Sequence, residues 1–244
     1  MMASKKSAIV TGAGSGVGRA TALGLAEQGF GLVLAGRTKA KLEQTRDLAA
    51  EYQDTLSCCL VTADLTDPEQ CHHLIEQSIE HYGRIDALAN VAGVAPHLPI
   101  KQITPPVWRR CIDTNLSAIV YLTAAAWPVF ERQESAVVVN VSSIASLDPF
   151  PGFGIYAAAK VGLNMFTSMT AKEGAGIGLS AVTIAPGAVE TPMLRAIFDK
   201  QTIAQNQTLD PIEVGQVICG CITGERSFES GQVIVLPSPG GSES

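Results

Sequence analysis

The chain has 244 residues, 46% of them hydrophobic and 16% charged, enough apolar material for one large core at the upper end of single-domain size. Its net charge of −6, with no run of Lys or Arg longer than two, argues against nucleic-acid or anionic-membrane partners. No apolar stretch approaches the roughly 20 residues of a membrane span, and the opening MMASKKSAIVTGAG enters a strand and a glycine turn too early for a signal peptide, so a cytoplasmic protein is expected.

In chain order, a strand is predicted over 6–11, ending in Thr11-Gly-Ala-Gly-Ser-Gly-Val-Gly-Arg19, with a helix over 17–28. A glycine turn between strand and helix lets backbone N–H groups approach a pyrophosphate, although strict GxGxxG spacing fails and no Gly-Lys-Ser/Thr follows. Taken alone it is either a dinucleotide cradle or a tight turn. The next strand, 31–36, ends Ala35-Gly36-Arg37-Thr38, and a helix covers 39–53. Strand 56–62 leads to Asp64-Leu65 and to a helix over 68–82, where Asp67 then Pro68 is an N-cap and first-turn signal. Strand 86–90 closes on Asn90-Val-Ala-Gly93. A long helix follows over 105–132, opened by Thr104 then Pro105 and carrying Asn115.

Strand 135–142 ends in Asn-Val-Ser-Ser143, a helix over 154–173 holds Tyr156 and Lys160, and strand 179–185 ends at Pro186-Gly187. A helix over 211–221 and a strand over 232–236 complete the pattern. Gly174, Gly176 and Gly178 stop the helix that begins near Tyr156. Strands rich in Val, Ile and Leu alternating with helices predict an α/β fold: one Rossmann-like, doubly wound, seven-stranded parallel sheet with helices on both faces. Residues 1–244 are expected to form a single domain, with 239–244 as a tail.

Six cysteines (Cys58, Cys59, Cys71, Cys111, Cys219, Cys221) form no CxxC and lie in apolar segments, which suits reduced, packed thiols. Cys71, His72 and His73 are adjacent on a helix, about 100° apart, and cannot chelate together, so no metal is expected.

Tyr156 and Lys160 stand at i and i+4, on one helical face. An ammonium about 4 Å from a phenol contributes roughly 4 kcal/mol at an effective dielectric near 20, equivalent to about 3 pKa units. That shift would bring a phenol near pKa 10 toward a useful acid/base range.

Read together, Thr11, Gly12, Gly16 and Gly18 in T-G-x-x-x-G-x-G, Asp64-Leu65, Asn90-Val-Ala-Gly93, Asn115 in N-L-S-A, Ser143 placed 13 residues before Tyr156, Lys160, and Pro186-Gly187 with Val189, Thr191 and Met193 resemble the short-chain dehydrogenase/reductase family over nearly the whole chain. Val91 replaces the family's second Asn in N-N-A-G, while Asn90 and Gly93 are retained. The resemblance implies hydride transfer between nicotinamide and a carbonyl or secondary alcohol. Tyr156 would be the acid/base; Lys160 would assist it and hold ribose hydroxyls; Ser143 would orient the reacting oxygen; Asn115 would keep a water linking Lys160 to solvent. Ser142 in place of Ser143, and a helix-bend role for Asn115, stand as alternatives. It also implies a cofactor site of Gly12, Ser15, Gly16, Val17, Gly18, Arg37, Thr38, Asp64, Leu65, Asn90, Ala92, Gly93, Tyr156, Lys160, Pro186, Gly187, Val189 and Thr191.

NADP is expected rather than NAD, because Gly36 stands where an NAD site places a carboxylate and Arg37 offers donors to a phosphate. Arg19 is a further basic residue near the glycine turn, which its helix could aim elsewhere. The substrate pocket is expected from 94–99, 144–153 and 193–198, with Leu147, Phe150, Phe153, Leu194 and Phe198 and a single basic residue, Arg195. That lining suits a small, mainly apolar carbonyl or alcohol, and an acyl carrier is disfavoured by the negative surface. His97 is read as an exposed loop residue or a substrate contact. A homodimer or homotetramer is expected through the helices around 105–132 and 154–173, on Trp108, Ile112, Ile119, Leu122, Trp127 and Phe166. The alternative to an enzyme is a dinucleotide-binding regulator or scaffold of the same fold. Leu236-Pro-Ser-Pro-Gly240 replaces the family's Asp-Gly-Gly, and 191–211 is short for its lid.

Overall fold

The computed structural model describes residues 5–53 and 55–239; residues 240–244 of the expected tail lie outside the described residues. Seven parallel strands are ordered β3-β2-β1-β4-β5-β6-β7: β1 (Ser7–Thr11), β2 (Gly31–Gly36), β3 (Cys58–Thr62), β4 (Ala87–Asn90), β5 (Ala136–Val141), β6 (Leu179–Pro186) and β7 (Val233–Leu236). Strand side chains alternate between two cores, as the pleat requires. Ala8 and Val10 of β1 pack with helices α1 (Gly16–Glu27), α2 (Lys39–Ala50) and α8 (Pro211–Thr223), through Leu25, Leu42 and Ile218. Ile9, between them, packs on the other face with α3 (Pro68–Tyr82), α5 (Ala118–Phe130) and α6 (Gly154–Gly174), through Leu74, Leu122 and Ala171. Because both faces are covered, the strands read as unbroken apolar runs. Each fully buried Leu, such as Leu25 or Leu74, contributes about 1.5–3 kcal/mol.

The strand order reverses direction between β1 and β4. Their carboxyl ends diverge there and open the crevice in which such sheets hold ligands.

The expected helix over 105–132 is three pieces: α4 (Pro105–Ile112), a π turn over Asp113–Ser117, and α5. The interruption has a named cause. Asn115, 0% exposed, turns its Nδ2 back to donate to the Cys111 carbonyl at 2.9 Å and across to the Val94 carbonyl at 2.8 Å. A side chain that enters the helical ladder and binds a neighbouring loop widens the turn. The two expected caps also differ. Asp67 accepts from the Glu69 N–H at 3.0 Å, whereas Thr104 makes no side-chain cap bond. A short helix the periodicity does not signal, α7 (Pro192–Arg195), follows β6 and is capped by Thr191.

Candidate active site

The glycine turn lies at the end of β1, against the loop that leaves β4. The Thr11 hydroxyl accepts from the N–H groups of Val91 at 2.9 Å and Ala92 at 3.1 Å, binding the two together. Gly12 has φ 66°, and a Cβ there would lie 2.9 Å from Ala92 Cα, so the position demands glycine on both counts. Ser15 makes no side-chain cap bond at the start of α1, which leaves its hydroxyl and the first-turn N–H groups facing the cleft.

That cleft has a volume of about 1190 Å³, room for a dinucleotide and a small substrate. Of the catalytic and cofactor-binding residues expected from sequence, all but Asn90 border it. Asn90 is buried behind it, donating to Asn140 Oδ1 of β5 at 2.9 Å, and so joins the central strands. Arg19 is drawn away: its guanidinium donates to Gly14 O at 2.7 Å, Gln44 Oε1 at 2.8 Å and Thr45 Oγ1 at 3.1 Å, clasping α1 to α2. In its place Lys41 borders the cleft, its Cβ packed over Gly14. Its signal was available, since Lys41 stands four residues after Arg37 across the start of α2. Asp64 is held below the usual carboxylate range by the backbone and hydroxyl of Thr66, with Arg37 and Arg110 adding positive field.

At the other end, β5 and α6 bring the reactive side chains together. Lys160, 3% exposed, donates from Nζ to the Val141 carbonyl at 2.7 Å. Its ammonium also lies 5.7 Å from the centre of the Tyr156 ring. Ser143 follows β5 in extended backbone with its hydroxyl near enough to the Tyr156 phenol to favour the phenolate, whereas Ser142 is buried and directs its hydroxyl to the Lys160 carbonyl at 3.3 Å. Asn115 Oδ1 accepts from the Val94 N–H at 3.1 Å, and a Cβ on Gly93 would lie 2.9 Å from that oxygen and 3.8 Å from Lys160 Nζ. Gly93 is therefore the narrow point between Asn115 and Lys160.

Asn164 and Ser146 support this arrangement and escaped the sequence reading. Asn164 Nδ2 donates to Ser146 Oγ at 2.9 Å, and Ser146 Oγ donates to Ser143 O at 2.7 Å, fastening the Ser143 turn to α6. The pattern carried the clue, because Tyr156, Lys160 and Asn164 repeat at four residues along one helical face.

The expected lowering of the phenol pKa by Lys160 is not what the fold produces. Burial pushes Tyr156 up to about 12, only partly offset by the Ser143 hydroxyl. Burial also lowers Lys160 from 10.5 to about 8. The physical reason is placement: Lys160 is buried and its Nζ is aimed at a backbone carbonyl, 5.7 Å from the centre of the Tyr156 ring. Desolvation of both groups then outweighs their attraction. Tyr156 is thus a protonated donor at neutral pH.

The lid over 191–208 is a braced wall. Arg195 forms a forked ion pair with Glu190, its Nε donating to Oε1 at 2.8 Å, while Nη1 reaches the carbonyls of Asp199 at 3.0 Å and Ile203 at 2.7 Å. The single basic residue expected in the substrate pocket is consumed inside the lid and does not border the cleft. Leu147 is likewise exposed and off the cleft, while Phe150, Phe153, Leu194 and Phe198 border it. The altered C-terminal segment returns to the site: Pro237, Ser238 and Pro239 line the cleft, and Gly187 N–H donates to Leu236 O at 2.9 Å. Among the described residues no group of three or more His, Cys, Asp or Glu is placed to hold a metal, and all six cysteines are free. No helix among them is long and apolar enough to cross a membrane.

Comparison with known proteins identifies the family. The sequence matches the family described as short chain dehydrogenase over residues 6–202. It is 36% identical over 205 residues to an uncharacterised oxidoreductase of Listeria monocytogenes, covering 83% of this chain and 82% of that one. It is 32% identical over 235 residues to a 3-oxoacyl-[acyl-carrier-protein] reductase of Thermotoga maritima, covering 94% and 95%. Among solved structures, levodione reductase superposes with a TM-score of 0.89 at 26% identity, covering 95% of this chain and 96% of that one.

Proposed function

We propose, from the premise that this chain belongs to the short-chain dehydrogenase family and is an oxidoreductase acting on CH–OH or C=O groups, that it works as a single dinucleotide-binding domain transferring hydride between NADP(H) and an uncharged, mainly apolar carbonyl or secondary alcohol. The observation that carries this reading is the meeting of Ser143, Tyr156, Lys160 and Asn115 at one end of a cleft whose other end is the glycine turn. A scaffold that had lost turnover would have no need to keep a desolvated lysine there, since burying an ammonium costs stability.

The cleft fits a dinucleotide. The Gly12–Gly18 turn and Ser15 would hold the pyrophosphate, Asp64 and Leu65 the adenine, and Gly93, Pro186, Gly187, Val189 and Thr191 the nicotinamide end, with Tyr156 and Lys160 at the ribose. NADP is favoured because Gly36 ends β2 without a carboxylate, while Arg37 and Lys41 place two cations at that edge. When bound, the reduced nicotinamide supplies the hydride. Tyr156 gives its proton from Oη to the substrate oxygen as carbon gains that hydride, and the Ser143 hydroxyl donates to the developing negative charge. Charged Lys160 stabilises the phenolate left behind, and Asn115, bound to the loop beside it, holds Gly93 close against Lys160. A phenol held near 12 suits reduction at neutral pH, because the donor is fully protonated.

The named activity of the Thermotoga relative does not carry over as acyl-carrier specificity. The chain is net negative, Arg195 is turned into the lid, and the cleft's Arg37 and Lys41 are assigned to the cofactor phosphate, which disfavours an acidic carrier at the substrate end. Free thiols at all six cysteines support a reducing compartment and a cytoplasmic location. A homodimer is proposed on a corrected surface. Ile119 and Leu122 are core, whereas Val161, Met165 (65% exposed) and Met169 form an exposed stripe on α6, with Trp108 of α4 also exposed.

The test is a panel of carbonyls and alcohols with NADPH and NADH, with Tyr156→Phe as control. Turnover should be faster with NADPH and fall by about 10²–10⁴-fold in the variant, which still binds cofactor. Near-normal turnover by folded Tyr156→Phe protein refutes the assigned chemistry.

A further inference from the structure

Three aromatic rings from three separate segments meet beside Tyr156 and border the cleft. Phe153, at the turn before α6, lies 5.9 Å from the Tyr156 ring centre. His97, in the loop after β4, lies 4.8 Å from Phe153, and Phe198, in the lid, lies 5.3 Å from His97 and 6.1 Å from Phe153. The positions are braced. Leu98 N–H donates to Gly152 O at 2.9 Å, tying the His97 loop to the Phe153 turn. Gly152 has φ 88°, and a Cβ there would lie 2.5 Å from His97 Nε2, so the imidazole packs directly on that peptide. Arg195 secures the lid around Phe198. His97 is thus exposed, as its loop suggested, yet held in a ring cluster.

Resting on the oxidoreductase reading above, we infer that the substrate is an uncharged ketone whose carbonyl sits on or beside a flat ring. The carbonyl has to reach the Tyr156 and Ser143 hydroxyls, and the remainder of the molecule then lies along the wall that begins at Phe153. That wall offers π faces, and ring-on-ring contacts add favourable energy beyond the apolar area they cover. A flexible chain gains only the area term and loses rotamer freedom on binding. The other groups bordering this end include Ile144, Met193, Leu194 and Ile197, with Asp148 as a carboxylate and the buried Lys160 bonded to the Val141 carbonyl, while Arg37 and Arg110 lie with Asp64 at the opposite end. An anionic substrate would therefore meet the Asp148 carboxylate, and among the described residues the cation at this end is Lys160, buried and bonded to Val141 O.

The experiment compares 1-tetralone with 2-decanone, two uncharged ketones of equal carbon number, in the full chain with saturating NADPH. The expected kcat/KM ratio favours the ring ketone by about 10- to 100-fold, mostly through KM. Phe198→Leu and His97→Leu should each lower that ratio by about tenfold, whereas Phe198→Tyr, which keeps a ring, should preserve it. Because His97 is exposed, its variant carries the test if Phe198→Leu does not fold. Equal or better use of 2-decanone, or a ratio unmoved by a folded ring-deleting variant, overturns the ring assignment while the oxidoreductase reading stands. Reduction of neither ketone, together with an inactive panel, overturns both.

Discussion

Lys160 should make the folding stability of this protein climb in alkaline solution. Its ammonium is 3% exposed and its pKa falls from 10.5 to about 8 on folding, through burial. The sign follows from proton counting. Below about pH 8 both states hold the proton; between about 8 and 10.5 the unfolded chain holds it and the native state does not, so stability rises with pH. Integrated over that window the gain is about 3 kcal/mol. Lys160→Met removes the titration and leaves every other group in place. Urea unfolding of both proteins at intervals from pH 7 to 10.5 should therefore give curves that diverge, with wild type gaining about 3 kcal/mol relative to the variant. Groups remote from Lys160 are common to both proteins and cancel in the difference. The same deprotonation removes the positive charge beside Tyr156, so carbonyl reduction should fall above pH 8 just where stability rises. Parallel stability profiles for the two proteins would refute the claim that Lys160 is held against its charge.

Replacing Gly36 with Asp and Arg37 with Ala should reverse an NADPH preference of about 10- to 150-fold, read as kcat/KM with each cofactor. The new Cβ at 36 meets Leu42 Cδ2 at 3.2 Å, a flexible methyl that can yield, so the double variant should fold. Asn115→Leu should lower stability by about 2–4 kcal/mol in urea unfolding, since it deletes the bonds to Val94 N, Val94 O and Cys111 O. A loss below about 0.5 kcal/mol would mean that the π turn does not depend on this side chain. Met165→Asp, on the exposed stripe of α6, should shift the sedimentation coefficient to that of a monomer; an unchanged value places the interface elsewhere.

Much of this protein is determined locally and was legible in its sequence. Alternating β-branched runs and helix-period segments dictate a parallel sheet, because only a sheet covered on both faces needs strands that are apolar throughout. Thr11 to Gly18, Ser143, and the four-residue step from Tyr156 to Lys160 are short-range patterns, and the parallel topology sends them to the carboxyl ends of the strands.

What tertiary structure decided is how side chains far apart in sequence dispose of charge and hydrogen bonds. Arg19 and Arg195 both looked available for ligands, yet one is spent on Gly14 and Thr45 and the other on Glu190 and the lid carbonyls. The expected continuous helix breaks at Asn115 because a loop 21 residues earlier presents Val94 to it. Lys160 stands one turn from Tyr156, as spacing required, but Val141 rather than the phenol receives its proton donor. Spacing can place two groups on a face; only the packed interior sets the desolvation and the competing partners that determine their charge.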